Sequence, residues 1–223
     1  MKTIKNLSLL FLLTLFLLSC KQRAETGSVE IISNNDEQVQ VETSVTDETM
    51  AQQSPSFERS LSLQGISFDI KTMGEGSIRQ LTIQPTGLQM DNALVQQEID
   101  GSVTNAEIED LNSDGFPELL IYTSSTGSGS YGNVIGYSVN AGKSMSQIYF
   151  PEIIPDSEAG KGYMGHDEFT IAETTLLRRF PIYHEGDSNA EPTGNIRQIQ
   201  YKLAEGEASR KFVIDQVIEI PKN

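Results

Sequence analysis

The sequence predicts an all-β domain, either an antiparallel β-sandwich or a closed barrel of about eight to ten short strands. Apolar and polar residues alternate over residues 66–71 and again over 199–203, as in strands that bury one face. Turn segments rich in Gly and Pro, such as 85–87, separate these stretches at the spacing typical of sandwiches. No stretch shows a helical apolar period of useful length, and no segment repeats.

Each strand is predicted from its apolar positions and from the turn that ends it. Leu81 and Ile83 point inward before the turn at 85–87, and Pro151 ends a later strand. In the last strand the alternation slips at Asp215 and Gln216, which predicts a β-bulge. The predicted strands are 66–70, 78–84, 103–108, 119–122, 133–139, 146–150, 169–172, 176–183, 199–203 and 211–220.

The first nineteen residues are typical of a bacterial lipoprotein signal peptide. Lys2 and Lys5 precede an apolar core at 9–18, which is shorter than the roughly 20 residues that a membrane-spanning helix needs. The sequence Leu-Leu-Ser-Cys then resembles a lipobox, in which the cysteine, here Cys20, is lipidated. Lys21 follows instead of aspartate, which by resemblance to bacterial sorting favours the outer membrane of a Gram-negative bacterium, at the periplasmic face or the cell surface. An ordinary cleaved signal is the alternative.

Residues 20–56 are predicted to be a lipidated, disordered acidic tether, and residues 57–223 to be the folded domain. The segment 21–56 contains no aromatic residue, and after Arg23 all of its charges are negative. Such a segment cannot bury enough apolar surface to offset the entropy of ordering, so we expect a self-repelling linker.

The charge of the chain restricts its partners. The formal net charge is −15, and removal of the signal peptide leaves 14 basic against 31 acidic residues, a charge of −17. Nucleic acid and anionic membrane surfaces need basic patches, so neither is an expected partner. A cationic protein is the expected partner, with solubility as the alternative reason for the charge. The oligomeric state stays open, with a homodimer as one alternative.

An acidic turn has the oxygen spacing of a calcium loop. Asp110, Asn112 and Asp114 could each supply an oxygen, with Glu118 as a fourth ligand. An EF-hand would require a glutamate at its twelfth position, where this chain has Ile121. The alternative is a hairpin turn in which these side chains accept hydrogen bonds from backbone amides. No cofactor is therefore expected unless calcium binds here.

The loop at 126–132 contains small residues, hydroxyls and one aromatic side chain, Tyr131. Such a loop can project from a sheet and enter another molecule's cleft, although a mobile hairpin connection is the alternative. Neither a G-x-S-x-G elbow nor a phosphate-binding loop is present, so no catalytic site is expected. Of the two histidines, His166 is expected to make a structural hydrogen bond. One of Arg178 and Arg179, which alternate in direction, is expected to pair with the acidic surface.

Seven segments follow one another along the domain in a fixed order: 63–68, 110–118, 128–132, 162–169, 178–183, 192–194 and 200–203. In that order they resemble the periplasmic inhibitors of i-type (invertebrate) lysozyme. The resemblance implies an all-β fold and an S-G-x-Y loop that enters the lysozyme cleft, a pattern that Ser128, Gly129 and Tyr131 fill, with Ser130 between them. It further implies that Ser128 and Tyr131 bond to the catalytic carboxyl groups of the enzyme. The lipobox and the tether depart from the plain signal of soluble family members.

Three further functional hypotheses are kept. The turn at 185–194 is predicted to be a second contact with the lysozyme. If the acidic turn binds calcium, the chain would instead be a calcium-dependent adhesion or glycan-binding module of a surface lipoprotein. A hydrolase that uses Ser128 as its nucleophile is the last alternative.

We expect Cys20→Ala to release the protein from the membrane fraction and to abolish labelling by a fatty-acid analogue. Cys20 is the only cysteine in the chain, so no other thiol could accept the lipid. Cell fractionation with metabolic labelling measures both effects. Retention of the variant in the membrane with undiminished labelling would contradict lipidation at this residue.

Overall fold

The computed structural model describes residues 54–222, which form twelve β-strands. The predicted signal peptide, Cys20 and most of the predicted tether lie outside these residues. Within 54–222, no helix is long and apolar enough to cross a membrane. The strands are β1 Phe57–Leu63, β2 Ile66–Met73, β3 Ile78–Thr86, β4 Val95–Asp100, β5 Ser102–Glu109, β6 Glu118–Ser124, β7 Gly132–Asn140, β8 Ser144–Ile148, β9 Glu168–Ala172, β10 Thr175–Pro181, β11 Ile196–Ala204 and β12 Lys211–Ile220.

The strands form three antiparallel sheets of four strands each. The first sheet has the order β1-β2-β3-β4, the central sheet β5-β6-β7-β8, and the third sheet β12-β11-β10-β9. Each sheet is built from consecutive strands, and none closes on itself. The all-β prediction and its sandwich alternative are confirmed, whereas the closed barrel and the strand count of eight to ten are wrong.

The two strands that the sequence did not predict, β1 and β4, lie at the edges of the first sheet. In β4 only Ile99 is fully buried, and in β1 no side chain is. An edge strand that buries so few side chains carries little apolar periodicity, which explains why the pattern missed both.

The central sheet is buried on both faces. In β6, Leu119 and Ile121 belong to the hydrophobic cluster shared with the first sheet. Leu120 and Tyr122, which alternate with them, belong to the cluster shared with the third sheet. The continuous apolar run of this strand therefore reflects burial on two sides, with each large apolar side chain contributing about 1.5–3 kcal/mol.

The predicted bulge in the last strand is confirmed. Gln200 pairs with Gln216 and Tyr201 pairs with Ile214, which leaves Asp215 without a partner in the ladder. Lys202 Nζ lies 2.9 Å from the Asp215 carboxylate.

Candidate functional site

The loop between β6 and β7 is closed at its base by its own hydrogen bonds. The Ser125 amide donates to the Tyr131 carbonyl at 2.9 Å, and the Tyr131 amide donates to the Ser125 hydroxyl at 3.0 Å. Within the loop, the Ser130 amide donates to the Gly127 carbonyl at 3.0 Å. These bonds make residues 125–131 a tight hairpin connection with its tip in solvent.

The four predicted binding residues occupy different environments in this loop. Ser128 is exposed, Tyr131 is 49% exposed, and Ser130 is half-buried. Gly129 is buried beneath the Tyr131 ring, and a Cβ at this glycine would collide with that ring. Gly129 therefore makes room for the aromatic side chain, while Ser128 and Tyr131 face solvent.

Residues 163–166, which precede β9, hold the loop in place through a hydrogen bond and close packing. The His166 amide donates to the Gly129 carbonyl at 2.7 Å, so the structural bond expected of His166 is made by its backbone. Gly165 has a φ of 92°, and a Cβ there would collide with the same carbonyl oxygen. The Tyr163 ring packs edge-on against Tyr131, with centroids 5.7 Å apart. Glycine at 165 thus permits the two backbones to touch.

A buried ion pair lies beneath this contact. Arg178 Nε donates to Asp167 Oδ1 at 2.6 Å, and the two side chains are 4% and 0% exposed. Asp167 Oδ2 accepts from the Gly132 amide at 2.7 Å and from the Tyr163 hydroxyl at 2.6 Å. Arg178 Nη2 also donates to that hydroxyl oxygen at 2.7 Å. Asp167 therefore joins the end of the loop to the interior of the protein.

The guanidinium of Arg178 is surrounded by aromatic rings. Its Cζ lies 5.0 Å from the centroid of Tyr163 and 5.3 Å from that of Phe169, with Phe150 and Phe180 within 6.0 Å. Aromatic faces attract a cation, which partly offsets the cost of removing it from water. Burial raises the pKa of the Tyr163 hydroxyl, so this group stays protonated and donates to Asp167.

Arg178 and Asp167 were missed as site residues by the sequence interpretation. Of the two arginines, Arg178 is buried with Asp167 and Arg179 donates to Gln198, so no arginine of this strand pairs with the acidic surface. The available signal was the alternation of β10, in which Arg178 occupies an inward position between Leu176 and Phe180.

The turn at 185–194 also contacts the loop. Asn189 Nδ2 donates to the Ser128 carbonyl, and the Tyr183 hydroxyl donates to the Asn189 carbonyl at 2.8 Å. Asp187 organises the turn by accepting from the His184 and Thr193 amides at 2.8 and 2.9 Å, and these bonds lower the pKa of its carboxyl. The turn predicted as a second contact is therefore adjacent to Ser128.

In the acidic turn, the predicted ligand oxygens accept hydrogen bonds from backbone amides. Asp110 accepts from the Asp114 amide at 3.0 Å and from the Gly115 amide at 2.8 Å. Asn112 Oδ1 accepts from the Asp114 amide at 3.0 Å, and Asp114 Oδ1 accepts from Phe116 at 2.9 Å. This is the arrangement of the capped hairpin turn that was the alternative to calcium.

A cation of the protein already lies beside these oxygens. Arg210 Nη2 is 2.8 Å from Asp114 Oδ2, and Arg210 Nη1 is 3.7 Å from Glu118 Oε1. Glu118 is buried and accepts from the Ser138 hydroxyl at 2.6 Å and from the Leu111 amide at 2.8 Å. Among residues 54–222, no group of three or more His, Cys, Asp or Glu could hold a metal ion. Calcium binding by Asp110, Asn112, Asp114 and Glu118 stays the alternative prediction for this turn, beside the capped hairpin.

The acidic turn and the loop lie at opposite ends of β6. The turn precedes the strand and the loop follows it, so the seven residues of β6 separate them by roughly 20 Å. The loop is hydrogen-bonded to the segments that precede β9 and follow β10, through His166 and Asn189.

Residues 89–158 match the family model PliI, described as periplasmic lysozyme inhibitor of I-type lysozyme. This segment is similar to the PliI family. The resemblance predicted from the sequence is confirmed over these residues, which include the acidic turn, β6, the loop and β7. The match supports a periplasmic inhibitor of lysozyme. Comparison with curated proteins and with solved structures gave no match.

We expect the melting temperature to be the same in calcium and in chelator, because the Arg210 guanidinium already balances Asp114 and Glu118. Thermal unfolding in 1 mM calcium and in EDTA tests this expectation. Calcium at about 100 times its dissociation constant would add about 2.7 kcal/mol to the free energy of unfolding. A rise of several degrees in calcium, absent with magnesium, would show that the turn binds the ion.

Glu118 should make the protein less stable as the pH rises. Burial raises the pKa of this carboxyl above its usual 4.5, and hydrogen bonds from Ser138 and Leu111 oppose that shift only in part. Folding favours the protonated form of this carboxyl. The stabilisation that Glu118 contributes is therefore complete below the pKa of the unfolded chain and is lost as the pH rises through the pKa of the folded protein. The free energy of unfolding then falls by at most about 1.4 kcal/mol per pH unit. Glu118→Gln should remove this contribution to the loss of stability with rising pH.

Melting curves between pH 3.5 and 8 on wild type and Glu118→Gln measure the effect. Glu205→Gln is the matched control, because Glu205 also contacts Arg210 but its side chain is 82% exposed. Equal slopes for wild type and Glu118→Gln would show that Glu118 does not titrate in this range.

Proposed function

We propose that the chain inhibits i-type lysozyme by inserting the loop that carries Ser128, Gly129, Ser130 and Tyr131 into the active-site cleft. One observation carries the proposal. The hydroxyl groups of Ser128 and Tyr131 project from the loop, and neither has a hydrogen-bond partner within residues 54–222. Both groups are therefore available to a partner, in a segment that resembles known inhibitors.

The chemistry of lysozyme suits these two donors. A glycoside hydrolase of this kind holds two carboxyl groups on either side of the scissile bond. A hydroxyl that donates to a carboxylate forms a charge-assisted hydrogen bond, which is stronger than a neutral one. The inserted loop would occupy the place of the glycan and engage the groups that perform hydrolysis, so inhibition is competitive.

Two features of the chain favour encounter with the enzyme. The charge of −17 that remains after removal of the signal peptide, 14 basic against 31 acidic residues, would attract a cationic lysozyme and raise its association rate. Lipidation at Cys20 would hold the inhibitor at the outer membrane, on the periplasmic face or the cell surface, where it intercepts lysozyme before the cell wall is reached.

The described residues favour neither alternative function. A nucleophilic serine requires an adjacent base, and the Ser128 hydroxyl has no hydrogen-bonded base within 54–222. A calcium-dependent adhesion module would need its ion at the acidic turn, where Arg210 contacts Asp114.

We expect Ser128→Ala and Tyr131→Phe each to weaken inhibition about ten- to a hundredfold, because each removes one hydroxyl bonded to a carboxylate, about 1.5–3 kcal/mol. Tyr131→Ala should cost more than Ser128→Ala, since it also removes aromatic contact area. Inhibition constants against i-type lysozyme, with c-type and g-type enzymes as comparisons, measure the effect.

Ser113→Ala is the matched control for these variants. Ser113 is also exposed, but it lies in the acidic turn, at the opposite end of β6 from the loop. Ser128→Ala and Tyr131→Phe should keep the wild-type melting temperature, as should the control. If both fold and inhibit as strongly as wild type, the loop is not the inhibitory element.

A further inference from the structure

The loop depends on other parts of the chain for its conformation. Its residues are mainly Ser, Thr and Gly, which bury little apolar surface and, for Gly, lose the most backbone entropy on ordering. Three hydrogen bonds to residues outside the loop offset this entropy cost. The Gly132 amide donates to Asp167, while the Gly129 and Ser128 carbonyls accept from His166 and Asn189.

We propose that Asp167 is a positioning residue, whose buried carboxylate holds the loop in its binding conformation before the lysozyme arrives. The inference rests on the proposed function. The Asp167 side chain is 0% exposed, so it acts through Gly132, where the loop enters β7.

The carboxylate can do this because it is itself fixed. It accepts from the Arg178 guanidinium, the Tyr163 hydroxyl and the Gly132 amide, and its side chain is 0% exposed. A Cβ at Gly132 would lie 2.6 Å from the Asp167 Cβ and 2.7 Å from the Phe169 ring, so the strand and the carboxylate are in close contact. Water cannot replace the Gly132 bond without entering this packed site.

Positioning has a kinetic consequence that direct contact does not share. If only a fraction of the free inhibitor holds the binding conformation, the apparent dissociation constant rises by the inverse of that fraction. The bound complex keeps all of its contacts, so the loss falls on the association rate. Loss of a contacting hydroxyl, as in Ser128→Ala, instead raises the dissociation rate.

Asp167→Asn tests the proposal, because it keeps the size of the side chain and removes its charge. The loss of a hydrogen bond to a charged group predicts an association rate about tenfold lower or more, with the dissociation rate changed less than about twofold. Hydrogen exchange at the amides of residues 125–132 should be faster in the free variant. Binding kinetics on immobilised lysozyme and exchange measured by mass spectrometry give the two readouts.

Glu107→Gln is the matched control. Glu107 also accepts from a tyrosine hydroxyl, Tyr122 at 2.6 Å, and from a backbone amide, Ile171 at 3.1 Å. It joins β5 to β9 and makes no hydrogen bond to the loop. Whatever the stability of this variant, its loop exchange and association rate should match those of the wild type.

Asn189→Ala covers the case in which Asp167→Asn does not fold because Arg178 is left buried without its partner. It removes only the bond to the Ser128 carbonyl, and it should also speed loop exchange and slow association. Unchanged loop exchange in the folded variants overturns the proposal, as does a loss confined to the dissociation rate. If wild type inhibits no i-type lysozyme, the proposed function fails, and exchange in the free protein still decides whether Asp167 holds the loop.

Discussion

The architecture depends on a central sheet that has no free face. Because β6 contributes Leu119 and Ile121 to one hydrophobic cluster and Leu120 and Tyr122 to the other, the first and third sheets are both anchored to the same strand. Only the ends of such a strand can carry polar chemistry. The acidic turn occupies one end and the hydroxyl-bearing loop the other, so the two polar segments of this chain are held apart by a rigid core.

The same arrangement explains why a charged pair is found inside the protein. The third sheet covers the central sheet with an aromatic layer, and Arg178 projects into that layer from β10. Burying a cation costs free energy unless the cation has an anionic partner and hydrogen bonds. Asp167 provides both for Arg178, and it lies in the segment that contacts the loop. We infer that the ion pair fixes one geometry of this layer, since the cost of burying two charges offsets much of their attraction.

The sequence was sufficient for the features that alternate or that recur in a known family. Alternation, short apolar runs and turn residues predicted ten of the strands and the bulge at Asp215. The S-G-x-Y pattern singled out Ser128 and Tyr131, both of which are exposed. The sequence was insufficient for β1 and β4, whose edge positions bury few side chains. The sequence also could not predict the residues that hold the loop. Asp167 and Asn189 lie 35 and 61 residues along the chain from Gly132 and Ser128, and only the fold brings them together.

The bulge in β12 has a further consequence for how the protein behaves at high concentration. β12 is the edge of the third sheet, and a ten-residue edge strand could template strands of other molecules. The extra residue, Asp215, interrupts the regular ladder at the middle of that edge and places a carboxylate there, paired with Lys202. A neighbouring chain could not continue a regular ladder past this extra residue, so we expect the bulge to oppose edge-to-edge aggregation.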